Sequence, residues 1–443
     1  MELRKIIRYI LLFALITTNC LLIAKSNSNS DPKFQKKIEV PFDYNNGLIQ
    51  LNVKLNGIPL VFIYDTGAEH SILTNKEIAV ILNLKILKEI DVFGADLLKK
   101  MTAYITEPIN IELFKTKVIK QYFEPENAKK IRFSEDNYIE KTEEVEFFNK
   151  SEPILILEKD IFSKEIFSGV VSGILGASYF NNMMVEIDYK KEKLYLYPYN
   201  VLPKMKSYKE IPAKFNGNKP IINTILKINE KNDTTSANLL LDTGCSIPLM
   251  LLENIDSKYK LPDKKVQGQI GIGLGGDING WIGLTNEMKI EEFSFGNLIT
   301  KFQDTDSFAL TKSSFVRDGL IGNEILDRFT VLIDNINKKV YLKPNKDQKK
   351  TFKYDKSGLT LFASGKDLNE IYVKYVIPGS PADIAGIKPE DRIIRIQGFS
   401  SKLWNMYRLT NLLRKKENKL IKLKIKRDNK KIDFRFRLQD MFL

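Results

Sequence analysis

Two aspartates in this chain occupy the same local setting, Asp65-Thr66-Gly67 and Asp242-Thr243-Gly244. An apolar run leads into each, Leu60-Val61-Phe62-Ile63-Tyr64 in one case and Leu239-Leu240-Leu241 in the other. Such runs read as buried strands, and the glycine after the carboxylate supplies the turn that ends them. Each aspartate is therefore expected at the tip of a strand, in a tight turn stiffened by threonine. When two carboxylates are brought within about 3 Å they cannot both ionise, so they share one proton. The ionised one can then take a proton from water while the other donates to an oxygen that is gaining charge.

The surroundings of the two motifs repeat as well. Gly176 opens a segment ending at Pro198, and Gly322 opens one ending at Pro344. Aligned without a gap, Val185 matches Val331, Ile187 matches Ile333, Asp188 matches Asp334, Lys193 matches Lys339 and Tyr195 matches Tyr341. Two apolar residues precede each glycine, Ile174-Leu175 and Leu320-Ile321. The chain holds an internal duplication of a β-rich unit.

An apolar strand ending in Asp-Thr-Gly, followed later by an apolar-apolar-Gly segment, resembles the lobe of the retropepsin and pepsin aspartic proteases. The resemblance covers roughly residues 38 to 347. It implies a mainly β, bilobal acid protease fold with two β-barrel-like lobes, 34–200 and 201–347, each giving one aspartate to a shared cleft. With both motifs in one chain, a self-sufficient monomer is expected. The resemblance makes Asp65 and Asp242 the catalytic dyad, with Thr66 and Thr243 locking the two turns together. Gly67 and Gly244 would let the backbones approach closely. No metal or organic cofactor is implied.

This chain departs from pepsin-like enzymes at the residue after each glycine, where Ala68 and Cys245 replace the usual Ser or Thr. A hydroxyl there would donate to the aspartate and lower its pKa. Alanine has no donor and cysteine a weak one. The expected working range is therefore mildly acid to near neutral. If Cys20 leaves with an N-terminal signal, Cys245 is alone and forms no intramolecular disulfide. A small residue filling the turn is the simpler reading of Cys245, a redox-sensitive thiol the sharper one. The single histidine, His70, cannot build a metal site alone. It is expected at the surface, with a pocket-lining role as the alternative.

A length of 443 residues, with 43% hydrophobic and 28% charged residues, describes a globular chain of two or three domains. The net charge of +14 is carried mostly by dispersed lysines. Without an aromatic-basic strand motif or a groove-reading helix, it points to a solvated surface and not to nucleic acid. Residues 1–26 read as a signal peptide, with Arg4, Lys5 and Arg8 before the apolar run Tyr9 to Ala24. Export to a periplasm or cell envelope is expected. A retained anchor, holding the chain at a membrane, and lipoprotein processing at Cys20 are the alternatives.

Residues 38 to 64 alternate apolar and polar around Asn56-Gly57, which reads as a hairpin feeding the first catalytic strand. Ser71 to Leu84 reads as a short helix or turn. The resemblance implies a β-hairpin flap over the cleft. Its candidates are Phe93 and Gly94, within Val92 to Asp96, and Gly273, Gly275 and Gly276, within Gly268 to Asp277. The glycine-rich stretch lacks the Gly-Lys-Ser/Thr ending of a phosphate loop, and a tight sheet corner is its plain alternative. The first half carries an insertion at about 124–165, whose charged run Glu140 to Glu146 suggests an exposed excursion beside the cleft.

After the polar linker Pro344 to Lys350, residues 352–443 resemble an α+β PDZ domain. Pro378-Gly379-Ser380-Pro381-Ala382, Ala385-Gly386-Ile387 and Gln397-Gly398 carry the resemblance, with Trp404 to Arg414 as the groove helix. It implies that Gly358, Leu359, Thr360 and Leu361 form a loop for the C-terminal carboxylate of a peptide ligand. The whole chain then reads as an exported aspartic endopeptidase acting on peptide or protein substrates, with a module for docking substrates or partners. A catalytically silent peptide-binding scaffold of the cell envelope is the second reading, and a basic tether to envelope polyanions the third.

Overall fold

The computed structural model describes residues 36–74, 76–94, 100–122, 138–158, 171–229, 234–253, 259–304, 317–364 and 370–442. The expected signal segment 1–26 with Cys20, the flap residues Ala95 and Asp96, and residues 124–137 and 159–165 of the insertion lie outside them. The described chain is mainly β and bilobal, followed by a small α+β module. No helix among the described residues is long and apolar enough to cross a membrane.

The first lobe is a ten-stranded sheet and the second an eight-stranded one. In the first, Leu48–Leu55 and Ile58–Asp65 form a hairpin in the register Leu55↔Ile58, with Asn56 and Gly57 both at positive φ in the turn. Leu51, Val53 and Leu55 are buried on one face, as the period-two pattern requires. Ile58–Asp65 then runs parallel to Val171–Gly176, which sets Gly176 beside Asp65. The second lobe repeats this: Thr235–Leu241 runs parallel to Gly319–Ile321, and the Asp242 amide donates to the Ile321 carbonyl at 2.9 Å. Ile72–Leu73 and the short helix Lys76–Ile81 occupy the stretch expected to be a helix or a turn.

A third sheet joins the lobes. Its order is Ile38–Pro41, Lys193–Pro198, Met183–Asp188, Phe329–Asp334, Lys339–Pro344 and Lys209–Ile211. The two central strands come from the two copies of the duplicated segment. Glu186 lies opposite Leu332, which is also its partner in the gapless alignment, so a pseudo-two-fold axis passes through that pair. Apolar side chains from both lobes and this sheet form one continuous core.

The charged run Glu140 to Glu146 is exposed at Glu144 and Glu146, as expected of an excursion, and is extended strand. It lies in the strand Tyr138–Glu152, which pairs with Ile109–Tyr122 in a long antiparallel ribbon. Glu144 ion-pairs Lys54 there, and no described residue of 138–152 lines the cleft. The run is strand because strand length is set by the partner strand, and exposed ribbon positions tolerate charge.

The C-terminal module has its own core, from Leu359 to Leu438 in sequence, under the strands Leu359–Ser364, Glu370–Val376, Arg392–Ile396, Leu420–Arg427 and Lys430–Arg437. Its longest described helix is Met406–Leu413, capped by the Asn405 side chain accepting from the Arg408 amide at 2.9 Å. The module rests on the second lobe. The Arg328 guanidinium stacks 3.5 Å above the Phe352 ring, and Arg414 approaches Glu324 at 3.7 Å.

Candidate active site

Asp65 and Asp242 are brought together at the seam of the lobes. The Thr66 amide donates to Thr243 Oγ1 and the Thr243 amide to Thr66 Oγ1, both at 3.0 Å. Each hydroxyl then donates onward across the seam, Thr66 Oγ1 to the Leu241 carbonyl at 2.6 Å and Thr243 Oγ1 to the Tyr64 carbonyl at 2.8 Å. Both threonines are buried, so each strand tip is held by its counterpart and not by solvent.

The glycines decide how closely the carboxyls approach. A Cβ at Gly67 would stand 2.8 Å from Asp242 Cγ, and one at Gly244 would overlap the Asp65 carboxyl. Each aspartate is therefore seated on the other lobe's glycine, where only a residue without a side chain fits. The two carboxyls lie close enough for each to shift the other's titration.

Their settings differ in electrostatics. Asp65 Oδ1 accepts from the Gly67 amide at 2.7 Å and the Ala68 amide at 3.1 Å, whereas Asp242 Oδ1 accepts from Gly244 at 2.9 Å. Burial raises both above the usual carboxylate range. The Asp65 charge pushes Asp242 further up, while the amides of Gly67 and Ala68 and the neighbouring Asp242 carboxyl restrain Asp65. A proton shared by the pair is thus biased toward Asp242, and the titration belongs to both.

Each strand tip is braced by a turn from the opposite lobe. The Asn323 side chain, fully buried, donates to the carbonyls of Gly47 and Thr243, both at 2.7 Å, and accepts from Tyr189 at 2.7 Å. In the mirror position the Glu69 carboxylate accepts from the Asn218 amide at 3.0 Å and its side chain at 2.7 Å.

The dyad opens into a cavity of about 860 Å³. Its walls are apolar, with Ile63, Ile72, Ile174, Leu240 and Met250 among them. The hairpin of Lys265–Gly273 and Gly276–Ile290 crosses above it. Gly273 lines the cavity, Gly276 takes φ +109° in the turn, and Gly275 meets Gly94 of the first lobe's hairpin. Phe93 ends the strand Ile86–Phe93 of that hairpin. The outgoing strand of the crossing hairpin touches the C-terminal module, where Gly268 lies against the Tyr375 hydroxyl.

His70 is exposed and stands at the cavity rim. Cys245 is half-buried among Ile221, Leu240, Met250 and Leu320. Burial and the neighbouring Asp242 push its thiol up to about 12, which leaves it protonated and unreactive at neutral pH. No group of three or more His, Cys, Asp or Glu among the described residues is placed to hold a metal.

The loop of the C-terminal module lines the far end of the same cavity through Gly358, Leu359 and Thr360. Two of its amides already have partners. Gly358 donates to Asp355 Oδ1 at 2.8 Å, and Leu359 to the Ser357 hydroxyl at 3.2 Å. The buried Asp355 carboxyl thus occupies the start of the loop. Leu361 continues into Leu359–Ser364, the edge strand of its sheet.

Two cavity residues were not singled out in the sequence, Arg317 and Lys219. The readable signal was a mismatch within the duplication. Arg317-Asp318-Gly319-Leu320-Ile321-Gly322 aligns with Val171-Ser172-Gly173-Ile174-Leu175-Gly176, so a cation replaces a valine.

Residues 340–438 match the PDZ domain family model. The match begins within Lys339–Pro344, a strand of the sheet that joins the lobes. Among solved structures the chain is similar to the aspartic proteinase from Irpex lacteus, at 12% identity, covering 71% of this chain and 99% of that one, with a TM-score of 0.38. It is also similar to basic 7S globulin from soybean, at 9% identity, 70% and 95% coverage and a TM-score of 0.36. Conglutin gamma, a basic 7S globulin from lupine seeds, gives 11% identity, 71% and 97% coverage and a TM-score of 0.37.

Proposed function

We propose that this protein is an aspartic endopeptidase, with Asp65 and Asp242 as its catalytic pair. One observation carries the reading: two half-buried carboxyls from different lobes, each seated on the other lobe's glycine, face a shared cavity of about 860 Å³. In this mechanism the dyad holds one proton. Asp65, the better stabilised anion, takes a proton from a bound water, whose oxygen attacks the scissile carbonyl carbon. Asp242 donates its proton to the carbonyl oxygen, giving a neutral tetrahedral diol. Collapse of the diol breaks the C–N bond as the amine nitrogen takes the proton from Asp65 and a diol hydroxyl returns its proton to Asp242, releasing amine and carboxylic acid and leaving one proton on the dyad. The crossing hairpin, with Gly273, Gly275 and Gly276 at its tip, serves as the flap that excludes water around the reacting amide.

The PDZ domain takes a peptide or protein ligand. With the amides of Gly358 and Leu359 already engaged, docking by strand addition along the edge strand Leu359–Ser364 suits it better than capture of a terminal carboxylate. Export through residues 1–26 belongs to the same reading.

Cleavage of a mixed peptide library by the purified mature chain tests it, with Asp65→Asn, Asp242→Asn and a statine-type inhibitor as controls. Cleavage abolished by either substitution is the expected result. Peptide binding by a folded chain without cleavage at any pH would leave the scaffold reading in its place.

A further inference from the structure

We infer that Arg317 and Lys219 form a subsite for an acidic side chain of the peptide, on the second-lobe side of the dyad. The inference rests on the peptidase reading and names the substrate class that this cleft selects.

The internal duplication provides the comparison. The register that pairs Ile221 with Leu240 brings Lys219 level with Asp242, and the one that pairs Gln50 with Ile63 brings Leu48 level with Asp65. Lys219 and Leu48 are thus equivalent, as are Arg317 and Val171. In the first lobe that pair is apolar: Leu48 and Val171 are buried and cluster with Ile63. The same fold position is therefore stable without charge. In the second lobe both residues are cations, both line the cavity, and both are only half-buried.

Both cations face the dyad carboxylates, which Arg317 helps to keep ionised. Neither forms a salt bridge or a side-chain hydrogen bond with a described residue. The nearby Glu69 is spent on Asn218, and Asp318, next to Arg317, accepts from the Asn238 amide at 2.8 Å. The dyad carries about one negative charge while it shares a proton. Burial disfavours the charge on both cations, and Arg317 adds to this at Lys219, while the dyad carboxylates favour it. An incoming carboxylate relieves the repulsion between the cations, and a guanidinium can hold it by two parallel N–H donors. Lys353 and Lys374 of the C-terminal module line the same cavity, while Arg414 is paired with Glu324.

The experiment compares matched peptides that differ by Glu or Gln at each position flanking the cleaved bond. The wild-type chain is expected to prefer Glu at one such position by about tenfold or more in kcat/KM, equivalent to about 1.4 kcal/mol. Arg317→Gln should erase most of that ratio, Arg317→Lys should keep part of it, and Arg317→Glu should turn it toward a Lys-bearing peptide. Absence of any Glu preference in the wild type overturns the subsite. So does a pH profile that shifts equally for all peptides in Arg317→Gln while the ratio holds, because Arg317 would then be only a counter-ion of the dyad. Calorimetric binding of reduced-amide peptide isosteres separates this from catalysis. A Glu preference in binding without turnover would keep the subsite and sink the peptidase reading; turnover without the preference would do the reverse.

Discussion

Thr66 and Thr243 exchange backbone amides and side-chain hydroxyls across the lobe interface, in four hydrogen bonds related by the pseudo-two-fold axis. Every donor and acceptor in this set is removed from water, so a missing partner is costly. Thr66→Ala leaves the Thr243 amide and the Leu241 carbonyl unpaired and should lower unfolding free energy by about 2–4 kcal/mol. Thr66→Ser restores the hydroxyl and should recover most of it. Urea unfolding of the three chains checks this.

Gly244→Ala should abolish turnover without unfolding the chain, because the added Cβ overlaps the Asp65 carboxyl. A displacement of about 1 Å at reacting groups costs on the order of 10²-fold in rate. Steady-state kinetics beside a thermal melt would separate the loss of rate from loss of fold.

Stability should rise as pH falls from 7 toward 5. Burial raises the dyad carboxyls, and it lifts Asp327 to about 6. A carboxyl with a raised folded-state pKa destabilises the fold above that pKa. The penalty fades as pH drops through it and is gone below the unfolded value of about 3.9. Asp242→Asn and Asp327→Asn should each raise the melting temperature at pH 7, by about 2–4 °C per kcal/mol relieved, and the gain should shrink at pH 4.5. Calorimetric scans across pH give the answer, and a lower melting temperature at pH 7 in both variants would contradict it.

Catalysis should peak from mildly acid to near neutral pH. Neither Ala68 nor Cys245 offers a hydroxyl to the dyad, and burial holds both carboxyls high. A rate profile still rising below about pH 3, in the range of the lower pepsin pKa, would mean that the missing hydroxyls do not set the dyad's titration.

Tyr375→Ala should speed flap opening, since the Tyr375 hydroxyl is what the PDZ domain places against Gly268. The expected signature is a rise in KM of a few-fold with a smaller change in kcat, read by peptide kinetics. A peptide bound at the PDZ edge strand should alter the same parameters in the wild type and leave Tyr375→Ala unaffected.

Much of this was legible in the chain. The apolar run into Asp65, the Asn56-Gly57 turn and the gapless repeat around Gly176 and Gly322 are local signals, and local signals survive in sequence. The pairing of Glu186 with Leu332 and the seat of each aspartate on the other lobe's glycine are long-range facts that follow only once the two copies are folded together. Glu140 to Glu146 announced an exposed segment but not its pairing with Ile109–Tyr122, which depends on a distant partner strand. Asp355 was silent for another reason: its capture of the Gly358 amide depends on a turn of three residues that composition does not announce. Arg317 and Lys219 were visible only as departures from the repeat, and such departures gain meaning when the equivalent positions are known to be buried leucine and valine.

The sheet through the pseudo-axis bears on how the cleft can open. Because Met183–Asp188 and Phe329–Asp334 are neighbours in one hydrogen-bonded ladder, with further strands on either side, the lobes share a floor and cannot swing apart as separate bodies without tearing it. Admission of a chain to the dyad therefore falls to the roof, where Gly94 and Gly275 meet through backbone alone. The molecule works as a fixed anvil beneath a parting seam, and extended, flexible segments will pass that seam more readily than compact ones.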